Sequence, residues 1–353
     1  MTEAGKPELR IDQLTGLRTL LAPGRAERPD EFGPRRTGAP AEAAESCPFC
    51  EGREDRTPPE VWAARPGGGE PDGPGWAQRS VPNLYPALVD SAGVSADGPL
   101  ASGLSSAADP LADSTRTGEP SLFRASAAAG AHEVIVNSPR HVTALAQLDD
   151  GELAGAVAAW RTRVAAHADD ASCVHLIVNE GPDAGATLEH SHAQLYALPF
   201  VPAEVARERE RFTAYNQRTQ GGHLLEDVMV EEVRRRERLV AIDGEAALFC
   251  PWASRSPFEL RLVPRSAEPR FDRDERGAEL LGRALRALAE LFGPDGVQLN
   301  LWVRTAPRGT EEFHWHLDLV PRLATRAGFE LGTGVDINDY PPERAAADLR
   351  DLI

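Results

Sequence analysis

The chain has 353 residues, 41% of them apolar, which is material for one large domain or two ordinary ones with a substantial core. Its 38 Lys+Arg against 55 Asp+Glu give a formal charge of −17, which argues against nucleic acid as a partner while leaving local cationic pockets open. No run approaches the ~18 apolar residues of a membrane span, and the opening MTEAGKPELR lacks the basic-then-apolar layout of a signal peptide, so the expectation is no membrane association and a cytoplasmic location.

In chain order, residues 22–46 and 64–80 are rich in Pro, Gly and charge. Between these stretches lies Cys47-Pro-Phe-Cys50, half of a tetrahedral thiolate/imidazole metal site that needs two more ligands, for which His141 and His190 are candidates. Reduced buried thiols are the plain alternative. A redox pair is disfavoured, because Pro48 and the polar flanks do not supply the strand-to-helix context it needs. Four cysteines in a chain this long make no disulfide scaffold, and Cys173 and Cys250, in apolar strand-like runs, read as small core residues. Val81-Pro-Asn83-Leu-Tyr85-Pro86 reads as a strand ending in a turn, with Asn83 able to pair with a base or ribose edge. Residues 89–130, dominated by Ala, Ser, Gly and Asp without a period of 2 or 3.6, read as a long mobile surface insertion.

An internal repeat follows. Glu133-Val-Ile-Val-Asn-Ser-Pro139 is echoed by Glu259-Leu-Arg-Leu-Val-Pro264, each a strand ending at a proline turn. Helices come next: Leu153, Val157, Trp160 and Val164 form one apolar stripe, with Asp149 and Asp150 as caps, and Leu281, Leu285, Leu288 and Phe292 form the other. The strands Cys173–Asn179 and Val297–Val303 follow, then His190-Ser-His192 and His314-Trp-His316, the histidines 124 residues apart in both cases. Two copies of a strand–helix–strand–strand unit make an α+β protein. Strand alternation sends His190, His192, Gln194 and Tyr196 to one face, so that one imidazole could bind a metal while its neighbour does other work. The connection Asn179-Glu-Gly-Pro-Asp-Ala-Gly185-Ala-Thr187 has glycines that admit a ligand to the backbone and small polar groups suited to phosphate oxygens. The charge runs 207–211 and 231–238 read as solvated helix faces.

Together these motifs resemble the galactose-1-phosphate uridylyltransferase family, the nucleotidyltransferase branch of the histidine triad superfamily, over nearly the whole chain outside 89–130. The resemblance is carried by Asp12-x-x-Thr15-Gly16, Arg25-Ala-Glu-Arg28-Pro29, Cys47-Pro-Phe-Cys50, the Asn83 segment, Ser138-Pro-Arg-His141, the run Asn179 to Gln194, Phe313-His-Trp-His316 and Gly328-Phe-Glu330. It implies two tandem histidine-triad-like halves, 1–210 and 211–353, with antiparallel sheets and helices packed on them. It also implies a structural zinc on Cys47, Cys50, His141 and His190, with His192 as nucleophile and Gln194 supporting the transferred phosphoryl group. In the family the nucleophile attacks the α-phosphorus of a UDP-sugar, expels the sugar 1-phosphate and leaves a nucleotidyl-histidine for a second sugar 1-phosphate, a ping-pong scheme. The physical fit is good, since neutral imidazole is nucleophilic near pH 7 and a sugar phosphate leaves as an anion. Gln194 stands where hydrolases of the superfamily carry a third histidine, and an amide moves no proton, which favours transfer over hydrolysis.

The resemblance further implies nucleotide contacts from Asn83, Asn179, Gly185 and Thr187 and phosphate contacts from Arg25 and Arg28. Glu330 matches a sugar-contacting position of the second subunit, which implies a homodimer. UDP-glucose with galactose 1-phosphate is the expected substrate pair. A nucleoside diphosphate sugar phosphorylase or adenylyltransferase of the ADP-glucose type, or a non-catalytic nucleotide-sugar-binding protein, is the alternative. The second metal site departs from the family. In one version Glu208, His314 and His316 match but the third histidine position holds Arg304; in the other, His223 and Glu226 stand in place of a Cys-x-x-Cys and Ala267 in place of a histidine. One tightly held metal is expected, with the arginine as a fixed cation in place of a second.

Overall fold

The computed structural model describes residues 7–27, 43–89, 128–293 and 297–353. Arg28 and most of the expected insertion at 89–130 lie outside the described residues. In chain order the elements are β1 (Glu8–Ile11), β2 (Arg18–Leu21), the single turn α1 (Ala43–Ser46), β3 (Trp62–Ala64), β4 (Gln78–Pro82) and β5 (Ala131–Val136). Next come α2 (Asp150–His167), β6 (Cys173–Glu180), β7 (His192–Leu198), α3 (Ala203–Thr219) and α4 (Leu224–Arg235). The chain continues with β8 (Leu239–Ile242), β9 (Ala246–Phe249), β10 (Leu260–Pro264), α5 (Ala278–Phe292), β11 (Leu299–Arg304) and β12 (His316–Pro321). It closes with α6 (Gly328–Thr333), β13 (Asp336–Asn338) and α7 (Pro342–Arg350).

Ten strands form one antiparallel sheet in the order β3-β4-β5-β7-β6-β11-β12-β10-β9-β8. That order is the same from either edge, with β5, β7 and β6 answered by β10, β12 and β11. The sequence repeat is therefore a two-fold relation about the β6–β11 pair, where Ile177 faces Trp302. It reaches further than the four matched segments, because β4 and β3 flank one half as β9 and β8 flank the other. Position 210 falls inside α3, and the sheet runs unbroken across both halves. A separate three-stranded sheet joins β1 to β2 antiparallel and β2 to β13 parallel.

Alternation decides what each sheet face carries. Leu176, Val178, Ala193, Leu195, Leu301, Val303, Leu317 and Leu319 join the core under α2 and α5, against Leu153, Val157, Trp160, Val164, Leu281, Leu285 and Leu288. Each fully buried side chain of this size contributes about 1.5–3 kcal/mol. Helix α2 begins at a capping box, with the Asp149 carboxylate accepting from the Glu152 N–H and the Glu152 side chain reaching back to the Asp149 N–H. The opposite face presents His132, Asn179, His192, Gln194, Tyr196, Asn300, Trp302, Arg304, His316 and Asp318. The polar face is the one with chemistry to offer.

Candidate active site

Cys47, Cys50, His141 and His190 come together with one ligand atom from each within 4.8 Å of the others. The Cys47 Sγ and Cys50 Sγ atoms lie 3.5 and 3.7 Å from His190 Nδ1, and Cys50 Sγ lies 3.4 Å from His141 Nδ1. Zinc–ligand bonds of about 2.3 Å to sulfur and 2.0–2.1 Å to nitrogen, opened at the tetrahedral angle, give sulfur–nitrogen edges of roughly 3.5–3.6 Å, so this donor set fits a tetrahedral ion. His190 Nε2 lies 2.8 Å from the Ser138 carbonyl, so it carries the proton and Nδ1 keeps its lone pair for a metal. Burial pulls the His190 pKa down to about 4, which keeps the ring neutral. Burial and the neighbouring Cys47 push the Cys50 thiol up to about 11, a repulsion that a cation would relieve. The four residues come from the segment after α1, the turn after β5 and the entry to β7. His190 itself precedes the strand, which starts at His192, so it does not share the strand face as the alternation suggested. Its ring is turned toward the cysteines and tied to Ser138 instead.

His192 Nδ1 sits 2.7 Å from the His190 carbonyl. The carbonyl can only accept, so Nδ1 is the protonated nitrogen and Nε2 holds the lone pair. Burial lowers the ring's pKa, and the neutral nucleophilic form prevails at neutral pH. The Phe49 ring, between the two cysteines, packs edgewise on His192 at 5.3 Å and on His190 at 6.2 Å, which ties the position of the His192 ring to the cysteine–histidine group. Ser191 is anchored from behind. Asn137, fully buried, donates to Ser191 Oγ at 3.1 Å and accepts from Trp160 Nε1 at 2.9 Å. Gln194 follows His192 on the same face, roughly 6.6–7 Å along the strand. Its Oε1 accepts from the Tyr196 hydroxyl at 3.1 Å and lies 3.1 Å from His132 Nε2.

Residue pairing puts Val178 opposite Ala193, so the next position along β6, Asn179, stands beside His192. Asn300 donates to Asn179 Oδ1 and to the Ala184 carbonyl, both at 2.8 Å, which links the second half to the connection after β6. That connection turns at Gly181 and at Gly185, whose φ of +88° is left-handed, and a Cβ at residue 185 would lie 3.9 Å from the Asn179 amide nitrogen. Thr187 is exposed in the same loop. Asn83, just after β4, holds the Tyr85 N–H with its Oδ1 at 2.9 Å and places Nδ2 3.1 Å from His132 Nε2. Arg25 is exposed in the turn after β2. Glu330 accepts from the Ala327 N–H at 2.9 Å and lines a cavity of about 210 Å³ with Asn300, Trp302 and Arg322.

The second half presents a different arrangement. Glu208, His314 and His316 are buried, and Arg304 Nε lies 3.3 Å from Glu208 Oε1 while its NH2 donates to Glu204 at 3.0 Å. Burial pushes the Glu208 carboxyl up to about 7 against the pull of Arg304. Among the described residues, Cys47, Cys50, His141 and His190 are the one group of at least three such side chains gathered closely enough to hold an ion. The residues at the second site do not fit one, and the guanidinium is the cation there. His223 is exposed just before α4 and Glu226 lies in its first turn.

Sequence reasoning missed His132, Phe49 and Asn137 as parts of the site. His132 gave no local signal, because its partners Tyr196 and Gln194 are reached through the β5–β7 register. Reading Cys47-Pro-Phe-Cys50 for ligands alone passed over the aromatic ring between them.

A model of the galactose-1-phosphate uridyl transferase N-terminal domain matches residues 103–202. The chain is 28% identical to ADP-glucose phosphorylase of Arabidopsis thaliana over 99% of its own length and 94% of the relative's. It is 27% identical to galactose-1-phosphate uridylyltransferase of Cryptococcus neoformans, over 98% of the chain and 90% of that protein. The crystal structure of the Arabidopsis ADP-glucose phosphorylase with bound ADP-glucose matches with a TM-score of 0.74 at 27% identity, covering 98% of this chain and 99% of that one.

Proposed function

We propose, from the similarity of the chain to the galactose-1-phosphate uridylyltransferase family, that it transfers a nucleotidyl group from a nucleoside diphosphate hexose through a covalent adduct on His192. The observation that carries this reading is the tautomer of His192: with Nδ1–H committed to the His190 carbonyl, the Nε2 lone pair is the nucleophile. Nε2 attacks the α-phosphorus, the bond from that phosphorus to the bridging oxygen breaks, and hexose 1-phosphate leaves with the electron pair. A phosphate oxygen of the acceptor then attacks the phosphorus, the phosphorus–nitrogen bond breaks, and the imidazole returns to its neutral state. Gln194 and Asn179 bind the phosphoryl oxygens, Gly185 and Thr187 bind the diphosphate through the loop, and Asn83 binds the nucleoside. Arg25 and Arg28 serve the phosphates. Cys47, Cys50, His141 and His190 hold zinc, which when bound supplies a rigid structural clamp behind the nucleophile.

UDP-glucose with galactose 1-phosphate is the first reaction to test, in a homodimer where Glu330 serves the partner's site. The likeness to the Arabidopsis protein over nearly the whole chain favours a second reading, phosphorolysis of ADP-glucose with inorganic phosphate as acceptor. Intact mass after incubation with UDP-glucose or ADP-glucose distinguishes the two by the nucleotidyl mass added. Absence of an adduct with either, or an adduct that persists in His192→Gly, would overturn the covalent scheme. Binding of a nucleotide sugar without an adduct would favour the non-catalytic alternative.

A further inference from the structure

We propose that His132 is a positioning residue that fixes which end of the Gln194 amide faces the transferred phosphoryl group, an inference that rests on the covalent-transfer reading. His132 is buried on β5, across from Tyr196 in the register, and its ring stacks on the Tyr196 ring at 4.1 Å with 24° between planes. The backbone N–H of Ala87 donates to His132 Nδ1 at 3.1 Å. A nitrogen that accepts carries the lone pair, so the proton of the neutral ring is on Nε2. That Nε2–H points at Gln194 Oε1, 3.1 Å away, and the Tyr196 hydroxyl donates to the same oxygen at 3.1 Å. Two donors occupy the two lone pairs of Oε1. Rotating the amide by half a turn would set its NH2 against the His132 Nε2–H, which cannot accept, whereas the Tyr196 hydroxyl could turn to accept; His132 is therefore the group that makes the NH2 end the one presented to substrate. A phosphoryl oxygen, an acceptor only, needs that end.

One further contact belongs to the network. The Asn83 amide, held by the Tyr85 N–H on its oxygen, brings Nδ2 to 3.1 Å from the same His132 Nε2. Nε2–H cannot accept from it, so Asn83 keeps a donor to spare beside the site, suited to an acceptor on a ribose or base. His132 thus acts on the phosphoryl contact through Gln194 without touching the phosphoryl group, while the Asn83 amide is oriented by the Tyr85 N–H.

The test uses the full chain and three variants. His132→Gln keeps a donor near the position of Nε2, His132→Asn is too short to reach it, and His132→Phe keeps only the stacking ring. Thermal midpoint and metal content check that each variant folds, and the Gln/Asn comparison stands if the phenylalanine variant does not. Single-turnover adduct formation from UDP-glucose and ADP-glucose is expected to slow about 10–100-fold in His132→Asn and His132→Phe, the usual range for an outer partner, with KM changed little and His132→Gln close to wild type. In a Gln194→Ala background, His132→Phe should add no further loss. Wild-type rates in His132→Asn, equal losses in His132→Gln and His132→Asn, or losses that add to Gln194→Ala would overturn the proposal. A substrate-independent readout separates it from the function reading. The Gln194 side-chain 15NH2 signals should shift in His132→Asn and not in His132→Gln even if the wild-type protein forms no adduct, and unchanged signals in both would also overturn it.

Discussion

Replacing Asn137 with alanine should loosen the two histidines from the helix layer behind them. Asn137 bridges Trp160 Nε1 and Ser191 Oγ at 2.9 and 3.1 Å, and all three residues are buried. Truncation leaves the indole N–H without a partner in the core, which costs about 1–3 kcal/mol, and removes the bond to Ser191, worth roughly 0.5–1.5 kcal/mol net. The expected loss is therefore about 2–4 kcal/mol, a large share of the ~5–15 kcal/mol that holds a domain together. Urea denaturation of Asn137→Ala, Trp160→Phe and the double variant measures it. Once Trp160→Phe has removed the stranded donor, Asn137→Ala should cost about 1–2 kcal/mol less than it does alone. Because Ser191 lies between His190 and His192, adduct formation should also slow, by up to roughly 100-fold if the ring shifts by about 1 Å. Additive stability losses, or an Asn137→Ala protein as stable as wild type, would refute the reasoning.

Three more outcomes follow from the same geometry. Cys50→Ser should bind less zinc by elemental analysis and lower the thermal midpoint, and a chelator should do the same to the wild-type protein; full metal content in Cys50→Ser would place the ion elsewhere. Since burial holds the His192 pKa below its ordinary 6.5, the neutral nucleophile persists as pH falls, and the half-maximal rate of adduct formation should lie below pH 6.5; a half-maximal rate at pH 7 or above would contradict it. Arg304→Leu should destabilise the protein by about 1–2 kcal/mol at pH 8, because Glu208, with a pKa already near 7, takes up a proton at that cost once its cation is gone. The Glu208 pKa is raised in the folded state, so protonation relieves that penalty as pH falls, and denaturation at pH 5.5 should show a smaller loss than at pH 8.

What could be read from the sequence was what repeats locally. The stripe Leu153–Val157–Trp160–Val164 is buried along α2 because helical spacing alone puts those positions on one side, and Asp149 caps it because its carboxylate needs only its own third neighbour. The Cys47/Cys50 pair likewise announces a metal by its spacing, and the two histidines that complete the group were legible as candidates. Long-range partners set what could not be read. His132 meets Gln194 across 62 residues of chain, and Glu208 meets Arg304 on a strand of the other half. The same cause corrects the reading of the charge runs: Glu231 with Arg234 and Arg235 does form a solvated face, but Glu208 and Glu232 are buried, the latter against Arg238. β3, β8 and β9 are short and lack a clean alternation, and only pairing, of β3 with β4, of β9 with β10 and of β8 with β9, makes them strands.

The duplicated fold also bears on why the proposed nucleophile belongs to one half. His192 and His316 enter equivalent strands, and each turns Nδ1 to the carbonyl two residues back, at 2.7 and 3.1 Å. A His-x-His sequence at the start of this strand therefore presents Nε2 to the open face in both copies. The neighbours separate them. The two-fold relation sets Arg304 where the first half has Asn179, and Asp318 where it has Gln194. Asp318 is clamped by Arg261 at 2.7 Å and by the Trp302 indole at 3.1 Å, and it lies 3.9 Å from His316 Nε2. A carboxylate there repels a phosphate where an amide would bind one, and the guanidinium groups that balance it fill the space a substrate needs. His316 is sealed at 0% exposure while His192 keeps 6%. The second half instead supplies a wall: Asn300, at the position equivalent to His175, steadies Asn179 and the connection after β6 of the first.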